Sequence, residues 1–232
     1  MDKIQDITNR FFAEIGRKLR EAGYDVCQAE ENLLPVEWKG RRLCRISPEG
    51  STRFSSEDLD QDELRSAYYG LRDIVNEVSS YMRLLEAAPP LKVSGLDESY
   101  KMLADFNGAV LAGHPTKLGV QFITWEWDYD HTGMWQGHYF SGNYAHAKQD
   151  FALRSGLIER DQLFSPEQRA EVYRAIHETL DADYPITDER RNLLESAAAQ
   201  IERTVPDLLD RVNISNVQEL VDGKQKWGME MQ

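Results

Sequence analysis

Residues 119–140, GVQFITWEWDYDHTGMWQGHYF, hold the densest set of side chains in the chain that are able to do chemistry. Glu126, Asp128 and His138 supply two carboxylates and an imidazole, the donors that hold a divalent metal for hydrolysis, with His114 or His131 as a further ligand. The competing explanation is structural, because a Glu opposite a His on an exposed sheet is an ordinary cross-strand pair. No spacing matches a hydrolase or deaminase pattern, and the chain has no Gly-rich phosphate loop, Gly-x-Ser-x-Gly elbow or His-Glu-x-x-His helix. Cys27 and Cys44 are too few for a disulfide framework and are not spaced as a metal knuckle, so both read as small apolar residues of neighbouring strands. His146 and His177 fall in helical patterns and read as packing or surface residues. These residues favour a protein that is not an enzyme, with no cofactor.

Two further groups are defined by charge. Lys39, Arg41, Arg42 and Arg45 cluster about one turn beside Trp38, a combination that can grip single-stranded nucleic acid, although Glu37 and Glu49 dilute it. Acids gather at Glu57, Asp58, Asp60, Asp62 and Glu63, and again at Glu126, Asp128 and Asp130. The net charge is −13, and its distribution is uneven: residues 1–55 carry 10 Lys+Arg against 9 Asp+Glu, whereas residues 56–232 carry 17 against 31. Phosphate repulsion therefore argues against nucleic acid as a direct partner of the larger part. Either the acids serve solubility or they form a face for a basic protein partner.

The elements that must position these groups follow from periodicity. Ile4, Ile7, Phe11, Ile15 and Leu19 recur at helical steps and predict a helix ending near Gly23. Two short strands about Lys39-Gly40 and a further turn at Pro48-Glu49-Gly50 predict a small antiparallel sheet within about residues 33–54. Leu64, Tyr68, Leu71, Val75, Val78, Met82 and Leu85 form an unbroken seam that predicts a long helix over about 60–88, stopped by Pro89-Pro90. That seam fits either helices of its own chain or a second copy in a homodimer. A helical turn is expected around Leu96 to Phe106, followed by strands in a second hairpin region at about 108–140, separated by Pro115 to Gly119.

Alternation on the later strand places Ile123, Trp125, Trp127 and Tyr129 on one face and Thr124, Glu126, Asp128 and Asp130 on the other. A three-residue loop, His131-Thr132-Gly133, then pairs Tyr129 with Trp135, Trp127 with Gly137, Trp125 with Tyr139, Glu126 with His138 and Asp128 with Gln136. In that register the tryptophans are core and the acids face water.

The final third is helical. Asn143, Ser165 and Thr187 are expected as N-caps, Gly156 as a stop, and Pro206 as the start of a short last helix. These helices are expected to cover the aromatic face of the hairpin sheet. The class is α+β, with three parts: 1–55, an acidic domain over 56–222, and a tail over 223–232. The opening residues carry acids rather than a basic and apolar leader, and no run nears the roughly 20 apolar residues that span a bilayer, so a soluble, cytoplasmic protein with no membrane partner is expected.

LADFNGAVLAGHP, GVQFITWEWDYD, GHYF, AKQDFALRSGLI and VPDLLDRV, covering much of residues 103–212, resemble a family of accessory proteins carried on conjugative and integrative mobile elements of gut bacteria. The resemblance carries over no catalytic residue. It implies a role in transfer, regulation or countering host defence. Together with the acidic excess it implies an inhibitor that acts through protein contacts on a host defence or DNA-handling complex, occupying a basic groove as a DNA mimic does. The alternatives from the residues themselves are the metal-dependent hydrolase of Glu126, Asp128 and His138, and the nucleic-acid binder of the Lys39–Arg45 hairpin.

Overall fold

The computed structural model describes residues 3–55, 59–93, 95–96, 99–205 and 207–213, and the chain divides into two compact units, Met1–Ile158 and Glu159–Gln232. It is an α+β protein with two four-stranded antiparallel sheets. No helix among the described residues is long and apolar enough to cross a membrane.

The first unit opens with α1 (Lys3–Glu21), whose stripe of Phe11, Ile15 and Leu19 is buried. A sheet follows in sequence order: β1 (Asp25–Val26), β2 (Leu34–Trp38), β3 (Arg41–Ile46) and β4 (Thr52–Arg53). The Lys39-Gly40 turn between β2 and β3 has positive φ at both residues, 52° and 74°, the twist that suits a two-residue hairpin. Helix α2 (Asp62–Ala87) begins with Asp62 and Glu63 in its first turn, where carboxylates complement the helix dipole, and ends just before Pro89-Pro90. Its buried face is the expected seam, with Tyr81 fully covered and Met82 at the margin. That face packs on Phe11, Ile15, Leu43 and Ile46 of the same chain, so the apolar seam is filled without a second copy.

The second sheet is a meander of β5 (Lys101–Phe106), β6 (Ala109–Thr116), β7 (Gly119–Trp127) and β8 (Met134–Tyr139). One face contributes Leu111, Val120 and Phe122 to the core shared with α1 and α2, and helix α3 (Tyr144–Arg154) adds Tyr144, Ala147 and Phe151 to it. The opposite face, carrying Ala112, Ile123 and Trp125, forms a smaller core with Leu91 and Tyr100 from the segment that precedes β5. Asn143 caps α3 by accepting from the His146 amide at 3.0 Å.

Leu34, Val36, Leu43 and Ile46, within residues 1–55, share one core with α2 and with Phe122 of the second sheet. Three expectations change here. Residues 101–106 are strand rather than a helical turn, because Asn107-Gly108 (φ 48° and 82°) turns the chain directly into β6. Helices α1, α2 and α3 cover the Val120, Phe122 and Thr124 face, whereas the aromatic face is covered by Leu91, Val93, Leu96 and Tyr100. The β7–β8 register also differs. Ile123 pairs with Tyr139 and Thr124 with His138, then a bulge shifts the ladder so that Glu126 faces Trp135 and Trp127 faces Met134.

The connection between β7 and β8 is accordingly the six residues Asp128 to Gly133. The bulge sets Gln136 and Gly137 of β8 against Trp125 alone, with Gln136 at φ 50°. Trp125 is buried as expected, at 7% exposure, but Trp135 is 53% exposed and Tyr129 is fully exposed.

In the second unit, α4 (Pro166–Asp181) and α5 (Asp188–Thr204) pair, and a last helix occupies 208–213. Ser165 and Gln168 close the expected capping box on α4, and Thr187 accepts from the Arg190 amide on α5. The core is Ala170, Tyr173, Ile176, Ala198, Ile201, Val205 and Leu208. Pro206 and the tail over 223–232 lie outside the described residues.

Candidate functional site

Thr124, Glu126 and His138 of β7 and β8 meet two residues of α3. Asp150 and Arg154 stand one helical turn apart and point onto the sheet. The Thr124 hydroxyl donates to Asp150 Oδ2, and the Nδ1–H of His138 donates to the same carboxylate, 3.1 Å from Oδ1. Arg154 donates from Nε to Glu126 Oε1 at 3.2 Å, and from Nη1 to Thr124 Oγ1 at 3.2 Å and to the Gln136 carbonyl at 2.7 Å. Buried Thr124 thus has its hydroxyl satisfied within the unit, whereas Arg154 Nη2 lies 3.1 Å from Glu126 Oε1 as an ion pair and makes no hydrogen bond.

This arrangement separates the three residues expected to share a metal. Glu126 is held by Arg154, His138 by Asp150, and Asp128 by the loop, where it accepts from the Thr132 amide at 2.8 Å. The two further histidines go elsewhere: His114 Nδ1 lies 3.0 Å from the Ser99 carbonyl, and His131 stacks on Trp127. Among the described residues, no group of three or more His, Cys, Asp or Glu side chains converges to hold a metal ion. The chemistry the cluster does offer is a His oriented by an Asp, without a hydroxyl set to be activated by that His, since Thr124 is bonded to Asp150 instead.

The two hairpin tips of the second sheet lie at one end. The Trp127 amide donates to the Gly108 carbonyl at 2.8 Å, and Trp127 Nε1 donates to Asp105 Oδ2 at 3.2 Å. Across the four strands, Phe106, Ala109, Glu126 and Trp135 form one row, with Phe106 (52% exposed) and Trp135 on its outer ends. Trp135 is fixed by a bond from Nε1 to the Trp127 carbonyl at 3.1 Å. Asp130 accepts from the Thr132 hydroxyl at 2.9 Å, and that bond holds its carboxyl below the usual range.

The basic and acidic groups read separately from sequence are partners of one another. Lys39 donates to Glu63 at 2.5 Å and Arg41 to Asp60 at 3.2 Å, while Asp62 takes Arg65 at 2.6 Å. Arg42 stands opposite Glu37, and Arg45 lies between Pro35 and Arg53 on the ladder. Trp38 packs on Tyr24 with ring centroids 4.8 Å apart. Glu57 and Asp58 lie outside the described residues.

One polar centre escaped the sequence reading. Glu14 is only 5% exposed, yet accepts from Tyr81 Oη at 2.6 Å, Arg17 Nη2 at 2.7 Å and the Val120 amide at 3.3 Å. Burial, reinforced by the Glu14 carboxylate, pushes the Tyr81 phenol far above its ordinary range. Burial works against the Arg17 charge, but Glu14 and Glu21 outweigh it and raise the pKa. The available signals were the carboxylate of Glu14 within the apolar stripe of α1, and Asp150 with Arg154 at a four-residue step on α3.

Compared with protein-family models, with curated proteins and with solved structures, the chain matches none of them.

Proposed function

We propose that this protein acts through protein contacts rather than catalysis, and that its contact surface is the end of the second sheet carrying Phe106, Tyr129 and Trp135. The observation that carries this reading is the exposure of these three aromatic side chains at the two adjoining hairpin tips. Large aromatics are costly to leave in water, and Tyr and Trp are the residues that most often anchor a protein interface. Trp135 is also held in place by its indole bond, so little side-chain freedom is lost on binding.

The partner that fits contributes a basic segment. Asp105, Asp128 and Asp130 lie at the same end of the sheet, and their bonds run to Trp127 and Thr132. A Lys- or Arg-bearing segment would complement these carboxylates while its aliphatic stems covered the rings. A DNA-handling or defence complex of the host presents such basic surfaces, which keeps it the leading class of partner. The DNA-mimic version draws less support, because Asp60, Asp62 and Glu63 are already neutralised by Arg41, Arg65 and Lys39.

The test places a photo-reactive amino acid at position 129 in the full chain and maps its adducts in host cells by mass spectrometry. One dominant partner, cross-linked through a Lys/Arg-rich stretch and lost on Trp135→Ala, is the expected result. Adducts spread over many proteins, or a dominant adduct indifferent to Trp135→Ala, would overturn the assignment of this surface.

A further inference from the structure

A concave site of about 160 Å³ lies against α1, α2 and the β6–β7 turn, and its wall carries Arg10, Arg17, Lys101 and Lys117 against two carboxylates, Glu14 and Glu86. Four cations around one hollow run counter to a chain of net charge −13. Arg17 is already spent on Glu14 and Glu21, so the donors still open are those of Arg10, Lys101 and Lys117. Glu14 is itself consumed by Tyr81, Arg17 and the Val120 amide. Arg10 offers Nε to Asp6 at 3.3 Å and Nη2 to Glu86 at 3.0 Å, which leaves Nη1. Lys101 makes one bond, to the Leu85 carbonyl at 2.5 Å, and retains two further N–H groups. Lys117 has no ion pair among the described residues.

We propose that this pocket binds a small oxyanion, the phosphate or carboxylate group of a compact metabolite. Unspent N–H donors of Arg and Lys facing a hollow select oxygen anions. The volume sets the size, since it falls below the roughly 300–1,000 Å³ of pockets that enclose drug-sized ligands. Glu14 serves as the floor of the site: by fixing Arg17 from within the core it keeps that guanidinium in place when the pocket is empty. The site belongs to α1, α2 and one turn of the second sheet, and it stands whether or not the aromatic tip binds a protein.

The test titrates full-length protein with inorganic phosphate and, separately, with succinate, by calorimetry at an ionic strength matched with sodium chloride. Saturable binding of either anion, accompanied by amide shifts at Thr116 and Gly119 in nitrogen-edited spectra, is the expected result. Binding of phosphate alone or succinate alone identifies which group the site takes. Lys117→Gln, in an exposed turn where folding is not at stake, should weaken the binding about tenfold, as should Arg10→Gln. Heats and shifts no larger than chloride produces, or binding untouched by both substitutions, would overturn the proposal.

Discussion

Glu14 is the side chain on which the interior of the first unit most directly depends, because three donors converge on it in a place with almost no water. Glu14→Ala strands the Tyr81 hydroxyl, the Val120 amide and the half-buried Arg17 together. The expected loss is about 3–5 kcal/mol, read from urea unfolding. Tyr81→Phe leaves the carboxylate two of its donors and should cost only about 1–2 kcal/mol. A different kind of residue-scale effect is expected at Glu63, whose carboxyl lies below its usual range because Lys39 donates to it. A lowered folded-state pKa contributes stability that is present above the ordinary Glu pKa and is lost as pH falls through the lowered one. In Lys39→Ala, a carboxyl-detected titration should show Glu63 moving up to the ordinary range. The stability gap between variant and parent should close in acid and shrink in high salt. Both residues were visible in the sequence, Glu63 as part of an acidic run and Glu14 inside an apolar stripe. Their partners were not, since Lys39 lies 24 residues from Glu63 and Tyr81 lies 67 from Glu14.

At the scale of elements, local signals were legible wherever one residue decides the geometry. Ser165, Thr187 and Asn143 cap the helices they were expected to cap, and the α2 seam gave both its span and its buried face. Asn143→Ala should accordingly cost about 1 kcal/mol, measured as a shift in the denaturant midpoint. The β7–β8 hairpin was misread because alternation alone cannot reveal a bulge, and one extra residue reassigns every side chain beyond it. The Trp125 indole sits against the glycine of the bulge. A Cβ built on Gly137 would stand 2.6 Å from Trp125 Nε1, so the ring occupies the space a side chain would need. Gly137→Ala should therefore destabilise by about 1–3 kcal/mol and shift the tryptophan emission to the red, as Trp125 is displaced toward water. The polar face of β7 was misread for a related reason: Thr124 and Glu126 look solvent-facing until Asp150 and Arg154, 26 and 28 residues later, are brought over them. The Asn107-Gly108 pair, by contrast, was a legible hairpin signal that outweighs the helical look of the residues before it.

At the scale of the whole molecule, the charge asymmetry suggested a boundary near residue 55, but the chain divides after Ile158. Charge reports on surface, whereas compactness follows shared apolar burial, and the residues of β2 and β3 are buried with α2 in one core. The two units differ sharply in what holds them. The first has the large core around Tyr81, Phe122 and Leu71 and a second one around Trp125, while the described core of the other unit is seven residues on two paired helices and the helix that follows. Among the described residues, that core leaves little surplus over chain entropy. Unfolding of the full chain should therefore fail the two-state test, with helical signal lost at lower denaturant than the near-ultraviolet signal of Trp125 and its neighbours. A chain ending at Ile158 should retain only the later transition, at an unchanged midpoint. A single coincident transition in the full chain, or a truncated chain that does not fold, would mean that the stability of the first unit depends on the residues after 158.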